Sequence, residues 1–374
     1  MEKENFISRY LHIVIIFVVL FSIINVFILQ SRISNVKDAK AVAEEQTKPA
    51  ELEVIKLLSD CTNCYDVENA LNDLKKQNVN IIKEQEININ SLEGQELIEK
   101  YSIEKLPTII INGEINKEQL TPYMQKIGEV KEDAVVYTSI SPPYYDNSLD
   151  KIVGEVSITN VIDSSCKECI SLAGFSDTLK EGGVFVKEEG FVEYNSQEGK
   201  ELIKKFDIKH IPSILISQDI NFYQGIQQLL IQLNAREKNG FYAIHSTVPP
   251  YRDMTSGKIT GLVELIMLKD SSCQQCYDLS INKQILLRFG MYINKENTYD
   301  ITSKEGRDLI SKYKITKVPI IIVSPDASVY TSFVNAWDDV GSVESDGWFV
   351  MRNPEVIGAY KDLATNRVIE DNGQ

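Results

Sequence analysis

SLEGQELIEKYSIEKLP, Ser91 to Pro107, returns as SQEGKELIKKFDIKHIP from Ser196 to Pro212 and as SKEGRDLISKYKITKVP from Ser303 to Pro319. Each copy reads Ser-x-Glu-Gly, then Leu-Ile, a lysine, an aromatic residue, an isoleucine and an aliphatic residue before proline. Leu97, Ile98 and Tyr101 fall at i, i+1 and i+4, the buried stripe of a short helix with acid in its first turn. The closing prolines lie 46 residues after Cys61, Cys166 and Cys273 respectively. All 6 cysteines sit in Cys-x-x-Cys pairs, Cys61/Cys64, Cys166/Cys169 and Cys273/Cys276, so none remains for a long-range disulfide. The pairs recur after 105 and 107 residues, a domain-sized period that predicts three tandem domains.

Strands EVIKLL (Glu53 to Leu58), VSITNVI (Val156 to Ile162) and VELIML (Val263 to Leu268) run into the cysteine pairs, and a helix is expected to continue from each pair. Further strands are VNIIKE (Val79 to Glu84) and GMYINKE (Gly290 to Glu296). After each proline comes an aliphatic run, TIII, SILI or IIIV, suited to a central strand buried on both faces. The order β-α-β-α-Pro-β is an α/β unit with a mixed sheet. A third repeated block starts at Tyr144, Tyr251 and Tyr360, with Pro-Pro ahead of the first two, and reads as strand, polar turn, strand. Its Asp sets the turn, and its Tyr is expected to pack on the adjoining domain.

A chain of 374 residues, 43 % hydrophobic and 25 % charged, has room for two or three cores and is not a disordered composition. The net charge of −15 repels phosphate backbones, which argues against a nucleic-acid partner and for a solvated acidic surface.

Tyr10 to Leu29 (YLHIVIIFVVLFSIINVFIL) carries no charged residue over twenty positions, long enough for ~30 Å of hydrocarbon. It reads as an uncleaved transmembrane anchor, because the nearest small-residue cleavage site, Ala41-Val-Ala43, lies far past the apolar run. Lys3 and Arg9 before it nearly balance Arg32, Lys37 and Lys40 after it, so charge leaves the orientation open. The layout of a short leader and a large body places the N-terminus in the cytoplasm and the body outside it. The expected organisation is leader 1–9, anchor 10–29, linker 30–49, and domains 50–153, 154–260 and 261–374.

A Cys-x-x-Cys pair between a first strand and a helix, with an aliphatic-Pro-strand block downstream, resembles the thioredoxin superfamily. The resemblance covers residues 50 to 374, and its tandem form is similar to protein disulfide isomerases and archaeal protein disulfide oxidoreductases. The expected fold is therefore three tandem thioredoxin-like domains, each a mixed central sheet flanked by helices. A helix N-terminus would stabilise a thiolate at Cys61, Cys166 and Cys273, with Cys64, Cys169 and Cys276 as resolving thiols. The resemblance implies cis peptide bonds at Pro107, Pro212 and Pro319, exposing the backbone of Leu106, Ile211 and Val318 to a substrate chain. It implies no cofactor, and protein thiols and disulfides as partners together with a recycling redox partner.

Departures from the family pattern are plain. The pairs read Asp-Cys-Thr-Asn-Cys, Ser-Cys-Lys-Glu-Cys and Ser-Cys-Gln-Gln-Cys, without the Trp and Gly-Pro of active thioredoxins. Ile55, Asn160 and Met267 stand where a buried acid is expected. Beside Cys166, Glu168 should disfavour a thiolate and Lys167 favour one, so the sites should differ in potential. Two other readings stay open: a chaperone-like scaffold with structural or vestigial Cys pairs, and zinc held between pairs or with His210 or His245, since His12 falls in the apolar span. His210 sits in a slot held by Lys105 and Lys317 in the other copies, which favours a surface role over proton shuttling.

Overall fold

The computed structural model describes Gln30, residues 48–172 and residues 174–370. The expected leader, anchor and most of the linker lie outside the described residues, and among those described no helix is long and apolar enough to cross a membrane.

The chain divides after Val153 into two compact units, the first holding one repeat and the second two. Among the described residues the first repeat contains β1 (Ala50–Leu58), α1 (Val67–Lys75), β2 (Val79–Asn88), α2 (Leu92–Tyr101), β3 (Lys105–Leu106), β4 (Thr108–Gly113), α3 (Thr121–Ile127), β5 (Gly128–Lys131), β6 (Ala134–Tyr137), β7 (Tyr144–Asp146) and β8 (Lys151–Val153). The second contains β9 (Val156–Ile162), α4 (Gly174–Glu181), β10 (Val186–Glu193), α5 (Gln197–Phe206), β11 (His210–Ile211), β12 (Ser213–Ser217), α6 (Ile226–Gln232), β13 (Arg236–Lys238), β14 (Phe241–His245), β15 (Tyr251–Asp253) and β16 (Ile259–Thr260). The third contains β17 (Leu262–Lys269), α7 (Ser280–Arg288), β18 (Tyr292–Asp300), α8 (Lys304–Tyr313), β19 (Lys317–Val318), β20 (Ile320–Val323), α9 (Thr331–Trp337), β21 (Gly341–Val343), β22 (Phe349–Met351), β23 (Tyr360–Asp362) and β24 (Arg367–Ile369).

Each repeat builds the same five-stranded sheet, in the orders β2-β1-β4-β6-β5, β10-β9-β12-β14-β13 and β18-β17-β20-β22-β21. The first strand runs parallel to the second and antiparallel to the post-proline strand, the mixed sheet that the sequence order implies. The post-proline strands are central and buried: Ile109, Ile110, Ile111, Ile320 and Ile322 are fully inaccessible, which is why the aliphatic runs do not alternate.

The Ser-x-Glu-Gly block is explained by helix entry. Ser91, Ser196 and Ser303 are N-caps whose side chains accept hydrogen bonds from the N–H of Gly94, Gly199 and Gly306. Each glycine meets the carbonyl that ends the preceding strand. A Cβ there would stand 2.3 Å from Asn88 O, 2.1 Å from Glu193 O or 2.1 Å from Asp300 O. No other residue fits so close an approach without moving the helix.

The third repeated block folds as the expected hairpin, giving small sheets β3-β7-β8, β11-β15-β16 and β19-β23-β24. Asp146, Asp253 and Asp362 turn it by accepting backbone N–H bonds from the residues that follow. The Tyr of each block meets the residue two places before the cis-proline of its own repeat. Tyr251 stacks on His210 at 4.0 Å, and Lys105 and Lys317 lie over Tyr144 and Tyr360 at 5.0 and 5.2 Å, all within one repeat. The pairing of the hairpin with the short pre-proline strand brings these rings together.

Candidate active site

β1, β9 and β17 deliver the cysteine pairs to one end of their sheets, where each pair closes as a disulfide with Cα atoms 5.5, 5.4 and 5.5 Å apart. Cys166 is buried and the other five cysteines are half-buried. The Leu106–Pro107, Ile211–Pro212 and Val318–Pro319 bonds are cis. In the second repeat a cleft of about 330 Å³ joins Cys166 and Cys169 to Pro212, and in the third one of about 460 Å³ joins Cys273 and Cys276 to Pro319. The walls differ in character. Ile170, Leu172 and Phe191 line the former; Lys269, Asp278, Lys283 and Glu296 line the latter.

Leu106, Ile211 and Val318 lie on the outermost strands of their small sheets, so the hairpin takes one edge and the other carries no strand among the described residues. These residues pair with Tyr145, Arg252 and Lys361 of the hairpins, and their side chains are fully buried. The helix that follows each pair also starts late, at Val67, Gly174 and Ser280, so no first cysteine occupies a first helical turn. The cause in the first and third repeats is a competing acceptor. The N–H of Tyr65 donates to Pro143 O at 2.8 Å and that of Tyr277 to Ala359 O at 2.9 Å, so the backbone leaves the pair extended toward the hairpin. Each pair therefore precedes its helix, and in the third repeat the helix N-terminus at Leu279 and Ser280 lines the same cleft as Cys273 and Cys276.

Tyr277 is also fixed by its ring. Its hydroxyl donates to Pro319 O at 3.1 Å, and burial pushes its phenol pKa up. Tyr277→Phe is expected to cost about 1 kcal/mol locally. Native-state hydrogen exchange of the full chain should show the loss around Cys276 and Pro319, with the first repeat unchanged.

Sheet register identifies the residues beneath the pairs. Lys56, Asn160 and Met267 lie opposite Ile109, Ile214 and Ile321, so in the first repeat Lys56, not Ile55, stands at the expected acid position. Lys56 has a buried side chain, 7 % exposed, with its ammonium 2.6 Å from Glu68, 3.0 Å from Glu84 and 2.6 Å from Glu86. The hydrogen bond to Glu68 and then that to Glu86, set against burial, hold it well above the usual lysine range. Glu84 is held below the usual carboxylate range, chiefly by Lys56. Asn160 instead donates to Glu189, which also receives Ser176 Oγ at 2.8 Å and Lys180 at 3.1 Å.

Two buried ion pairs flank the dithiol turns of the second unit. Arg252 Nε lies 2.7 Å from Asp163 Oδ2 and Lys361 Nζ 2.5 Å from Asp270 Oδ2. Asp163 and Asp270 start their turns by accepting from the Ser165 and Ser272 N–H groups, and their carbonyls receive the N–H of Cys166 and Cys273. Burial raises both carboxyls. The serine bonds and the cations outweigh it and leave both below the usual aspartate range. The repeated Asp-Ser-Ser-Cys marks the acidic half of each pair in the sequence. His210 is engaged through Nδ1 with Ser246 O at 2.9 Å, consistent with a packing role.

No protein-family model and no curated protein matches the chain. Among solved structures it is similar to an N-terminal domain of alkylhydroperoxide reductase AhpF from Enterococcus faecalis (15 % identity, 46 % of this chain, 83 % of that one, TM-score 0.15). It is also similar to human ERp44 form II (13 %, 75 % and 77 %, TM-score 0.14). A third is a protein disulfide oxidoreductase from Aeropyrum pernix (14 %, 48 % and 81 %, TM-score 0.13). At such scores the fold rests on the chain's own strand order, Cys-x-x-Cys turns and cis-prolines. On that ground the chain is a tandem array of thioredoxin-like repeats.

Proposed function

We propose that the chain is a membrane-anchored thiol-disulfide oxidoreductase or isomerase acting on protein disulfides outside the cytoplasm, with domains 50–153, 154–260 and 261–374 as its redox modules. The observation that carries this reading is the meeting of both sulfurs with a cis-proline in one open cleft, in the second and third repeats alike. The apolar stretch Tyr10 to Leu29 supplies the anchor.

In the oxidising direction a substrate thiolate attacks Cys166 Sγ, the Cys166–Cys169 bond breaks, and Cys169 leaves as a thiolate that takes up a proton. A second substrate thiolate then attacks the substrate sulfur of the mixed disulfide and releases Cys166. The substrate loses two electrons and two protons, and the cysteine pair gains them. Reduction is the reverse, and isomerisation is reversal onto a different substrate sulfur. The substrate reaches the sulfur through the cleft beside Pro212 or Pro319, with the outer edge of the pre-proline strand there to meet its backbone.

A scaffold reading draws on one specific observation, the late start of the helices, which leaves each first cysteine ahead of the first helical turn. The variant C61A/C166A/C273A of the full chain in detergent separates the two. Incubated with a reduced, unfolded disulfide protein in a glutathione buffer, it should lose all acceleration of disulfide formation over buffer. Retention of the wild-type rate would assign the effect to binding alone and overturn the oxidoreductase reading.

A further inference from the structure

The dithiol turns of the second and third repeats share a backbone, and that of the first is one residue shorter and differs in charge. Register sets Leu57, Val161 and Leu268 opposite Thr108, Ser213 and Ile320, so Ser59 of the first repeat is level with Asp163 and Asp270. Across the pre-proline strand, Tyr145 is level with Arg252 and Lys361. The first repeat therefore has no ion pair at this place. Its Ser59 hydroxyl is buried without a partner, and Tyr145 turns its hydroxyl to Asp150 instead.

In the second repeat a connected path runs from the strand beside the cis-proline to the sulfur. Ile211 pairs with Arg252, and Arg252 donates through Nε to Asp163 and through a terminal nitrogen to Ser165 Oγ at 3.2 Å. Asp163 holds the Ser165 N–H at 3.0 Å and Oγ at 2.5 Å, directly before Cys166. Tyr194 supports the guanidinium from below at 4.7 Å. The third repeat repeats the path with Val318, Lys361, Asp270 and Ser272. Neither acid serves the exchange chemistry itself, and each side chain is at most 5 % exposed.

We propose that Asp163–Arg252 and Asp270–Lys361 are positioning pairs that hold the Cys166 and Cys273 turns and set how readily each sulfur becomes a thiolate, leaving the first site without this control. The proposal rests on the oxidoreductase reading. The physical case is electrostatic. A carboxylate bonded to the residue before the cysteine disfavours a thiolate, and its cation cancels that effect, in a turn that precedes the helix. Other charges face these sulfurs as well: Lys167 and Glu168 in the turn itself and Glu193 of β10, which holds Ser164, at Cys166; Lys269, Asp278, Lys283, Glu296 and Asp300 around Cys273. Lys167 is exposed, whereas Arg252 is fixed and nearly buried.

The test is the pH dependence of iodoacetamide alkylation at each first cysteine of the reduced full chain, read peptide by peptide by mass spectrometry. Arg252→Met leaves Asp163 uncompensated, so the Cys166 profile should move to higher pH, with alkylation at pH 6 falling about tenfold for a shift of one unit. Asp163→Asn leaves the guanidinium alone and should move the profile to lower pH. The double variant should return near the wild type, and Arg252→Lys should hold it. Cys61 and Cys273 on the same molecules should not change. A merely structural pair would shift both single variants in one direction or neither, and either result overturns the proposal. Should Arg252→Met fail to fold, the opposite-sign shift in Asp163→Asn and the rescue by Arg252→Lys still decide it. Alkylation reads the thiolate whether or not a site exchanges with a substrate. Failure of exchange in the wild type thus sinks the proposed function, and an unmoved pH profile sinks this proposal.

Discussion

Gly306→Ala is expected to destabilise the third repeat by roughly 2–3 kcal/mol, although alanine inside a helix normally gains about 1 kcal/mol over glycine. The sign reverses because the new Cβ would stand 2.1 Å from Asp300 O. That carbonyl cannot retreat freely, since it accepts the Ser303 N–H at 3.0 Å and the Ser303 hydroxyl at 2.6 Å. The helix must move outward, which strains its own N-cap and lifts Tyr313 and Ile310 from the core they pack against. Hydrogen exchange across α8 should accelerate accordingly, and Gly199→Ala should behave alike against Glu193 O. Unchanged or slower exchange would refute the steric account of the Ser-x-Glu-Gly block.

Lys56→Met should have the next largest effect. It removes the cation shared by Glu68, Glu84 and Glu86 and leaves three carboxylates together at the sheet surface. Removing one partner of a buried pair costs about 3–5 kcal/mol; here the acids are one-third to two-thirds exposed, so water screens them and about 2 kcal/mol is expected. Its pH dependence follows from the shifts. Glu84 is depressed in the folded state, so its contribution is present above the unfolded carboxylate range and is lost as pH falls through the folded value. Lys56 is raised, so its contribution is full below the unfolded lysine range and is lost as pH rises through the folded value. The deficit of the variant should therefore be largest near neutrality and shrink toward pH 4. Hydrogen exchange of β1 and β2 at pH 4.5 and 7.5, corrected for intrinsic rates, checks it; a deficit that grows on acidification would contradict the assignment.

The repeats were legible because identical spacings constrain a fold more tightly than any single propensity. The Cys-to-Pro distance carried the sheet, and the Tyr-x-Asp blocks carried the hairpin. The late helix starts could not be read, because they depend on Tyr65 and Tyr277 giving their N–H to carbonyls of the distant Pro143 and Ala359. Nor could the ion pairs, whose halves lie 89 and 91 residues apart and look singly like solvated charges. The confusion of Ile55 with Lys56 has a similar origin. The first repeat is one residue shorter between strand and cysteine, and only cross-strand register with Ile109 shows which side chain turns inward.

The measurement that bears most directly on the oxidoreductase reading is alkylation mass spectrometry of the full chain equilibrated across a series of glutathione redox buffers. The expected result is a reversible two-electron titration at one or more of the pairs Cys61/Cys64, Cys166/Cys169 and Cys273/Cys276, with the second and third sites included. Pairs that stay oxidised throughout the series, or thiols that never exchange with glutathione, would contradict it.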